Sequence, residues 1–236
     1  MTVLRSLAFA ILFLGGTVPM ALLVAALAPF SREGLRRGAH LWAAWFVWCA
    51  RVLAGVRLVV RGRVPQTPCL VAFKHQSAFE TYLCLYLFNH PAVVMKAELL
   101  DIPVWGFIAR RHGSIGLDRS RGTAAMKTLI REARDRIAQG RPILIFPEGT
   151  RVAPGTAPPL KPGLAGLYAL LGLPVVPVAL DSGACWPRGL VKHPGTVTLA
   201  FLPPVPPGLG REEMEARVHA GINADPVSAR VEGTPA

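Results

Sequence analysis

The sequence predicts an α/β fold, a largely parallel sheet flanked by helices, preceded by an apolar N-terminal helical segment that anchors it to a membrane. Three observations predict it. After about residue 57, short apolar runs alternate with amphipathic segments, the pattern of successive βαβ units. Pro142-Ile143-Leu144-Ile145-Phe146 is short, wholly apolar and bounded by breakers, as a strand buried on both faces should be. From Ser6 to Ser31 no residue is charged, a stretch of roughly 39 Å if helical and long enough to span a bilayer.

Gly15, Gly16 and Pro19 fall in the middle of that first segment. It is therefore either one span or a broken helix that enters one leaflet and returns. A second apolar segment, Ala39 to Val60, carries Trp42, Trp45 and Trp48, with Arg51 and Arg57 in its later half. Interfacial tryptophan and snorkelling arginine predict a helix at the membrane surface. The loop between the segments holds Arg32, Arg36 and Arg37 against Glu33, and such a bias favours the cytoplasmic side. One span or a re-entrant pair fits better than a two-span hairpin, with everything after residue 31 cytoplasmic. A cleaved signal peptide is the alternative, since Ala26-Leu27-Ala28 resembles a cleavage site. The apolar stretch is longer than the usual signal core of about 7–15 residues.

Strands are expected at Val56–Val60, Cys69–Phe73, Ala92–Met95, Ser114–Leu117, Pro142–Phe146, Val175–Leu180 and Thr196–Phe201. Helices are expected at Ser77–Phe88, Thr123–Ala138, Gly163–Leu171 and near Arg211–Ile222. In the second of these, Met126, Ile130, Ala133 and Ile137 share one face, and Gln139-Gly140 closes it. The expected organisation is a membrane-associated helical region over 1–55, a catalytic domain over 56–225 and a flexible tail over 226–236.

Lysine and arginine total 26 against 14 acidic residues, a formal charge of +12. Nine basic and three acidic residues fall between Arg110 and Arg141. Such an excess suits anionic lipid or phosphorylated substrates. Aromatics are not interleaved with it and no nucleic-acid motif occurs, which argues against nucleic acid as a partner. Cys49, Cys69, Cys84 and Cys185 are scattered through apolar segments without metal-ligand spacing and read as reduced core residues. No motif requires a metal.

Phe146-Pro147-Glu148-Gly149-Thr150-Arg151 places a carboxylate, a glycine, a hydroxyl and a guanidinium just past the end of a parallel strand. Ligands bind at that edge of open α/β sheets, and the planar fork of arginine matches an anionic phosphate. The simpler alternative is that Glu148 and Arg151 only pair with each other. His75 stands where another strand gives way to a helix, five residues before Glu80. That interval is not same-face on a regular helix. The two meet only if His75 sits in the entering loop, where the carboxylate would fix the tautomer of a general base. Ser77 competes for the same carboxylate, because Ser77 and Glu80 have the spacing of a capping box.

His75-x4-Glu80, Gly113-Ser114-Ile115-Gly116-Leu117-Asp118-Arg119, the hexapeptide at Phe146 and Leu173-Pro174-Val175-Val176-Pro177-Val178 together resemble, in order, the four motifs of the glycerolipid acyltransferases typified by 1-acyl-glycerol-3-phosphate acyltransferase. The resemblance covers roughly residues 56–205. Two positions depart from the family pattern: Lys74 stands where asparagine is usual, and Glu80 where aspartate is usual. Lys74 adds a cation beside the base, within reach of a phosphate or thioester oxygen. The resemblance implies that His75 deprotonates an acceptor hydroxyl and Glu80 stabilises the imidazolium. It also implies that Lys96, Arg119, Thr150 and Arg151 bind the acceptor phosphate in a pocket shaped by Glu148 and Gly149, and that Pro177 fixes a turn within its strand. The implied substrates are lysophosphatidic acid and an acyl thioester, from acyl-CoA or acyl carrier protein, with no other cofactor. The implied location is the cell inner membrane, with the catalytic domain at its cytoplasmic face. Another lysolipid acceptor is the nearest alternative. A lipid hydrolase would need a G-x-S-x-G serine elbow, which the sequence lacks, and a non-catalytic lipid-binding protein would have no need of His75.

Overall fold

The computed structural model describes residues 2–231, so the last part of the expected tail, 232–236, lies outside the described residues. Helix α1, Thr2–Leu27, runs unbroken through Gly15, Gly16 and Pro19. The broken helix offered as an alternative does not form, and Gly16 has a packing role instead. A Cβ on Gly16 would lie 2.7 Å from Nε1 of Trp45, so the glycine lets helix α2, Arg32–Cys49, approach closely. Among the described residues, α1 is the one helix long and apolar enough to cross a membrane.

Ser31 caps α2 by accepting from the Gly34 N–H. The helix continues as a π turn over Ala50–Ala54 and stops at Gly55, whose φ of 75° is left-handed. The single surface helix expected over 39–60 is therefore divided, because Val56–Arg61 forms strand β1. Its tryptophans divide too. Trp42 is buried against Phe13 and Tyr82, whereas Trp45 stacks on the exposed Trp48.

The remaining elements are β2 (Leu70–Phe73), α3 (Phe79–Leu87), β3 (Ala92–Lys96), α4 (Trp105–His112), β4 (Ile115–Leu117), α5 (Gly122–Ala138), β5 (Ile143–Ile145), α6 (Pro162–Leu171), β6 (Val175–Leu180), α7 (Ser182–Cys185), β7 (Gly195–Phe201) and α8 (Arg211–Ile222). They form one sheet in the order β1-β7-β6-β2-β5-β3-β4. Every neighbouring pair is parallel except β6 and β7. Side chains alternate faces along a strand. Val71, Phe73, Leu144 and Val178 accordingly join Phe9, Phe13, Phe46 and Phe79 of α1, α2 and α3. Leu70, Ala72, Ile143 and Ile145 join Leu129, Leu164 and Met214 of α5, α6 and α8. The sheet is thus sandwiched between helices, and the four cysteines are all buried and free.

Pro177 does not form a turn. Val175 pairs with Val205 but Val178 with Phe201, so the facing strand carries one extra residue across that gap. A proline without a donor is tolerated at such a bulge.

The 3₁₀ turn Ala97–Asp101 and helix α4 are not predicted by periodicity. Pro103 and Gly106 interrupt that segment, yet Gly106 is required by contact, since a Cβ there would meet the Leu100 carbonyl oxygen at 1.8 Å. At the end of α4, His112 is buried edge-on against His90 at 4.9 Å. Burial, and then the neighbouring charges of His90 and Arg141, push His112 down to about 3. The folded state therefore holds this ring neutral where the unfolded chain protonates it, and stability present above about pH 6.5 declines as the pH falls toward that lowered value. Between about pH 7 and about pH 5 the loss should be about 2 kcal/mol. Thermal unfolding of detergent-solubilised protein across that range checks it: His112→Leu should remove this share of the slope and leave that of His90, which burial likewise lowers to about 4.

Candidate active site

Five parallel strands lie side by side in the order β6, β2, β5, β3, β4, and their carboxyl ends deliver the site. Ser182 follows β6, His75 follows β2, and Glu148 to Arg151 follow β5, with Lys96 ending β3 and Arg119 just past β4. The adjacency of β2 and β5 brings the histidine beside the hexapeptide, although 70 intervening residues hide this in the sequence.

His75 lies in the loop entering α3, with Nδ1 2.9 Å from Oε1 of Glu80. Glu80, in the first turn of α3, is wholly buried. Its Oε1 also accepts the N–H groups of Gln76 at 2.7 Å and Ser77 at 2.6 Å, and its Oε2 accepts the hydroxyls of Ser77 and Ser182, each at 2.7 Å. Capping and orientation of the histidine are therefore served by one carboxylate at the same time. Burial pushes the Glu80 carboxyl up, but the hydrogen bond and charge of His75, the Ser77 N–H and the Ser182 hydroxyl outweigh it and hold the group below its usual value. An ionised Glu80 requires the proton on Nδ1 of His75. Nε2, which has no partner among the described residues, is then the basic nitrogen. The ring lies against Phe146, centroids 4.3 Å apart, and its side chain is 13% exposed.

Glu148 is not at the surface of the pocket and does not pair with Arg151. It is buried, with Oε2 accepting the backbone N–H of His75 at 2.9 Å and Oε1 accepting Nζ of Lys74 at 2.6 Å. Lys74 is likewise turned inward, away from the position expected for it. Its ammonium also donates to the Thr156 carbonyl and to Oδ1 of Asn223, both at 2.6 Å. All three of its protons are thereby used inside the protein, so no ligand contact remains for it.

The other expected residues do converge. His75, Lys96, Arg119, Gly149, Thr150 and Arg151 all line one cavity of about 1050 Å³. The cavity continues between apolar side chains of α1, α2 and α4, including Met20, Val24, Trp42 and Ile108. Arg119 donates to the Gly149 carbonyl at 3.0 Å. Gly149 has a φ of 73°, which favours glycine, and a Cβ there would lie 2.6 Å from Nη2 of Arg119 and displace its guanidinium. The guanidinium of Arg151 has no protein partner among the described residues and faces the cavity. Asp118 caps the turn before α5 by accepting from the Ser120 N–H and hydroxyl.

Sequence reasoning missed Ser182 and Asn223. Ser182 was legible in principle, because it stands at the carboxyl end of a parallel strand, the edge where sites form. Ser182→Ala should lower turnover about tenfold by removing one charge-assisted hydrogen bond to Glu80. Steady-state kinetics should show the loss in kcat, with KM for the acceptor unchanged.

Residues 56–181 match the family model described as acyltransferase. Over 194 residues, covering 81% of this chain and 74% of the relative, the sequence is 36% identical to a 1-acyl-sn-glycerol-3-phosphate acyltransferase of Pseudomonas aeruginosa. It is 29% identical over 168 residues to the human 1-acyl-sn-glycerol-3-phosphate acyltransferase beta, covering 69% of this chain and 60% of that one. The crystal structure of PlsC from Thermotoga maritima, a 1-acyl-sn-glycerophosphate acyltransferase, superposes with a TM-score of 0.70 over 94% of both chains at 24% identity, and so shares the fold. The chain belongs to the acyltransferase family and is an enzyme of that family.

Proposed function

We propose that the enzyme transfers a fatty acyl group from an acyl thioester to the free sn-2 hydroxyl of lysophosphatidic acid, giving phosphatidic acid. The observation that carries this reading is the pairing of His75 with a buried, ionised Glu80 at the wall of a cavity that also holds Arg119 and Arg151. Nε2 of His75 takes the hydroxyl proton as the oxygen attacks the thioester carbonyl. Collapse of the tetrahedral intermediate breaks the carbon–sulfur bond, and the departing sulfur receives the proton from the imidazolium. Glu80 stabilises the imidazolium in between without itself accepting the proton. Arg119, Arg151, Lys96 and Thr150 hold the acceptor phosphate, while the apolar length of the cavity receives hydrocarbon.

In this reading, residues 1–55 form the membrane-associated region and 56–225 the catalytic domain, which works at the cytoplasmic face of the inner membrane. The apolar α1, the basic surface and the membrane-associated chemistry of the acceptor support it. The test is acyl transfer from a radiolabelled thioester by the purified enzyme against a panel of lysolipids. Lysophosphatidic acid should be the preferred acceptor, and Arg151→Ala should raise its KM about 10–100-fold. Preference for a lysolipid without a phosphomonoester, or an unchanged KM in the variant, would overturn the assignment of the acceptor.

A further inference from the structure

A second cavity of about 260 Å³ adjoins the first and shares Tyr82, Arg151 and Arg188 with it. Its walls come from Ser77 and Ala78, just past His75, from Phe9 and Phe13 of α1, and from the loop that carries Trp186 and Lys192. Three cations thus border a small space: Arg151, Arg188 and Lys192. None of them forms an ion pair among the described residues. Backbone carbonyls position two of them instead. Lys192 donates to Pro187 at 2.9 Å and Gly189 at 2.7 Å while lying over the Trp186 ring, and Arg188 donates to the Arg151 carbonyl at 3.2 Å. The loop is pinned to α1 through the Lys192 N–H and the Ser6 hydroxyl, 2.9 Å apart. Burial and the charge of Arg151 make the lysine ammonium easier to deprotonate than usual, as expected of cations held together without a counter-charge.

Like charges concentrated beside aromatic rings form a site for an anion joined to a less polar arm. The reaction proposed above requires two phosphorylated substrates at once, and the cations assigned to the acceptor phosphate leave Arg188 and Lys192 without a role. We propose that this second cavity binds the phosphate of the phosphopantetheine arm that carries the donor thioester, with Trp186 and the α1 phenylalanines beside the arm. Arg151 then lies between the two phosphates. This inference rests on the proposed thioester donor. Both acyl-CoA and acyl carrier protein present the same arm, so the site reads chemistry common to the two.

The test compares acyl-phosphopantetheine with acyl-pantetheine, which lacks the phosphate, as donors for the full-length enzyme in detergent. The parent should prefer the phosphorylated donor about tenfold or more in kcat/KM. Arg188→Ala/Lys192→Met should reduce that preference to about unity, and the exposed Arg188→Ala alone should reduce it in part, should the double variant fold poorly. KM for lysophosphatidic acid should stay within about twofold. With acyl-CoA and acyl carrier protein the loss should be similar. A preserved phosphate preference, a rise confined to the acceptor KM, or a loss confined to one of the two natural donors would overturn the proposal. Binding of unacylated CoA to His75→Ala protein separates this site from the base. Retained affinity with lost turnover is expected, whereas retained turnover would sink the His75 mechanism and leave the cavity standing.

Discussion

Replacing His75 by alanine should lower acyl transfer by about 10²–10⁴-fold, the range that a positioned acid–base group contributes. The imidazole makes one side-chain hydrogen bond, to Glu80, and otherwise rests on Phe146 beside the cavity. Its removal opens space next to an existing cavity and costs little packing. Thermal unfolding should therefore stay close to the parent while the radiolabelled-donor assay falls to near background. Glu80→Ala should behave differently. The N–H groups of Gln76 and Ser77 and the hydroxyls of Ser77 and Ser182 all converge on that buried carboxylate, and its loss strands them together. Activity and stability should fall jointly there, so His75 is the cleaner probe of chemistry. Activity retained in His75→Ala would exclude it as the base.

Lys74→Met should have the largest effect on stability, about 3–5 kcal/mol, because breaking one partner of a buried pair leaves the other charge uncompensated. The Lys74 and Glu148 side chains are 4% and 0% exposed. Methionine would leave Glu148 facing a single N–H donor, that of His75. Because that N–H belongs to His75, the proposed base, turnover should fall along with stability. The double variant Lys74→Met/Glu148→Gln removes both charges and should regain most of the loss, a pattern that a double-mutant cycle on chemical denaturation would read. A single variant within about 1 kcal/mol of the parent would show that the pair is not holding the site.

Much of the sheet was legible because its strands are buried on both faces and so read as short apolar runs. Val56–Arg61, Ala92–Lys96 and Val175–Leu180 lie within a residue of where the sequence puts them. The N-terminal helices were harder to read. Gly16 and Pro19 carry the local signature of a break, and only the facing Trp45 reveals that glycine is there for contact. Trp42 shows the same limit, since a tryptophan reads alike whether it faces lipid or the core. In the site, His75, Glu80, Arg119 and Arg151 could be singled out as candidates because they stand in short local motifs, and the fold brings them together around one cavity. The inward turn of Lys74 and Glu148 was not, because it depends on partners at Thr156 and Asn223 that no local pattern links to residue 74.

The contact between Lys74 and Asn223 bridges 149 positions, and this sets an order of events during synthesis. The apolar α1 emerges first and can enter a bilayer while most of the sheet is unmade. The Lys74 ammonium beside His75 gains its amide partner only once residue 223 has been released from the ribosome. Under the proposed function, α1 is available to a membrane before His75 is fully braced, and acyl transfer waits until residue 223 has been made.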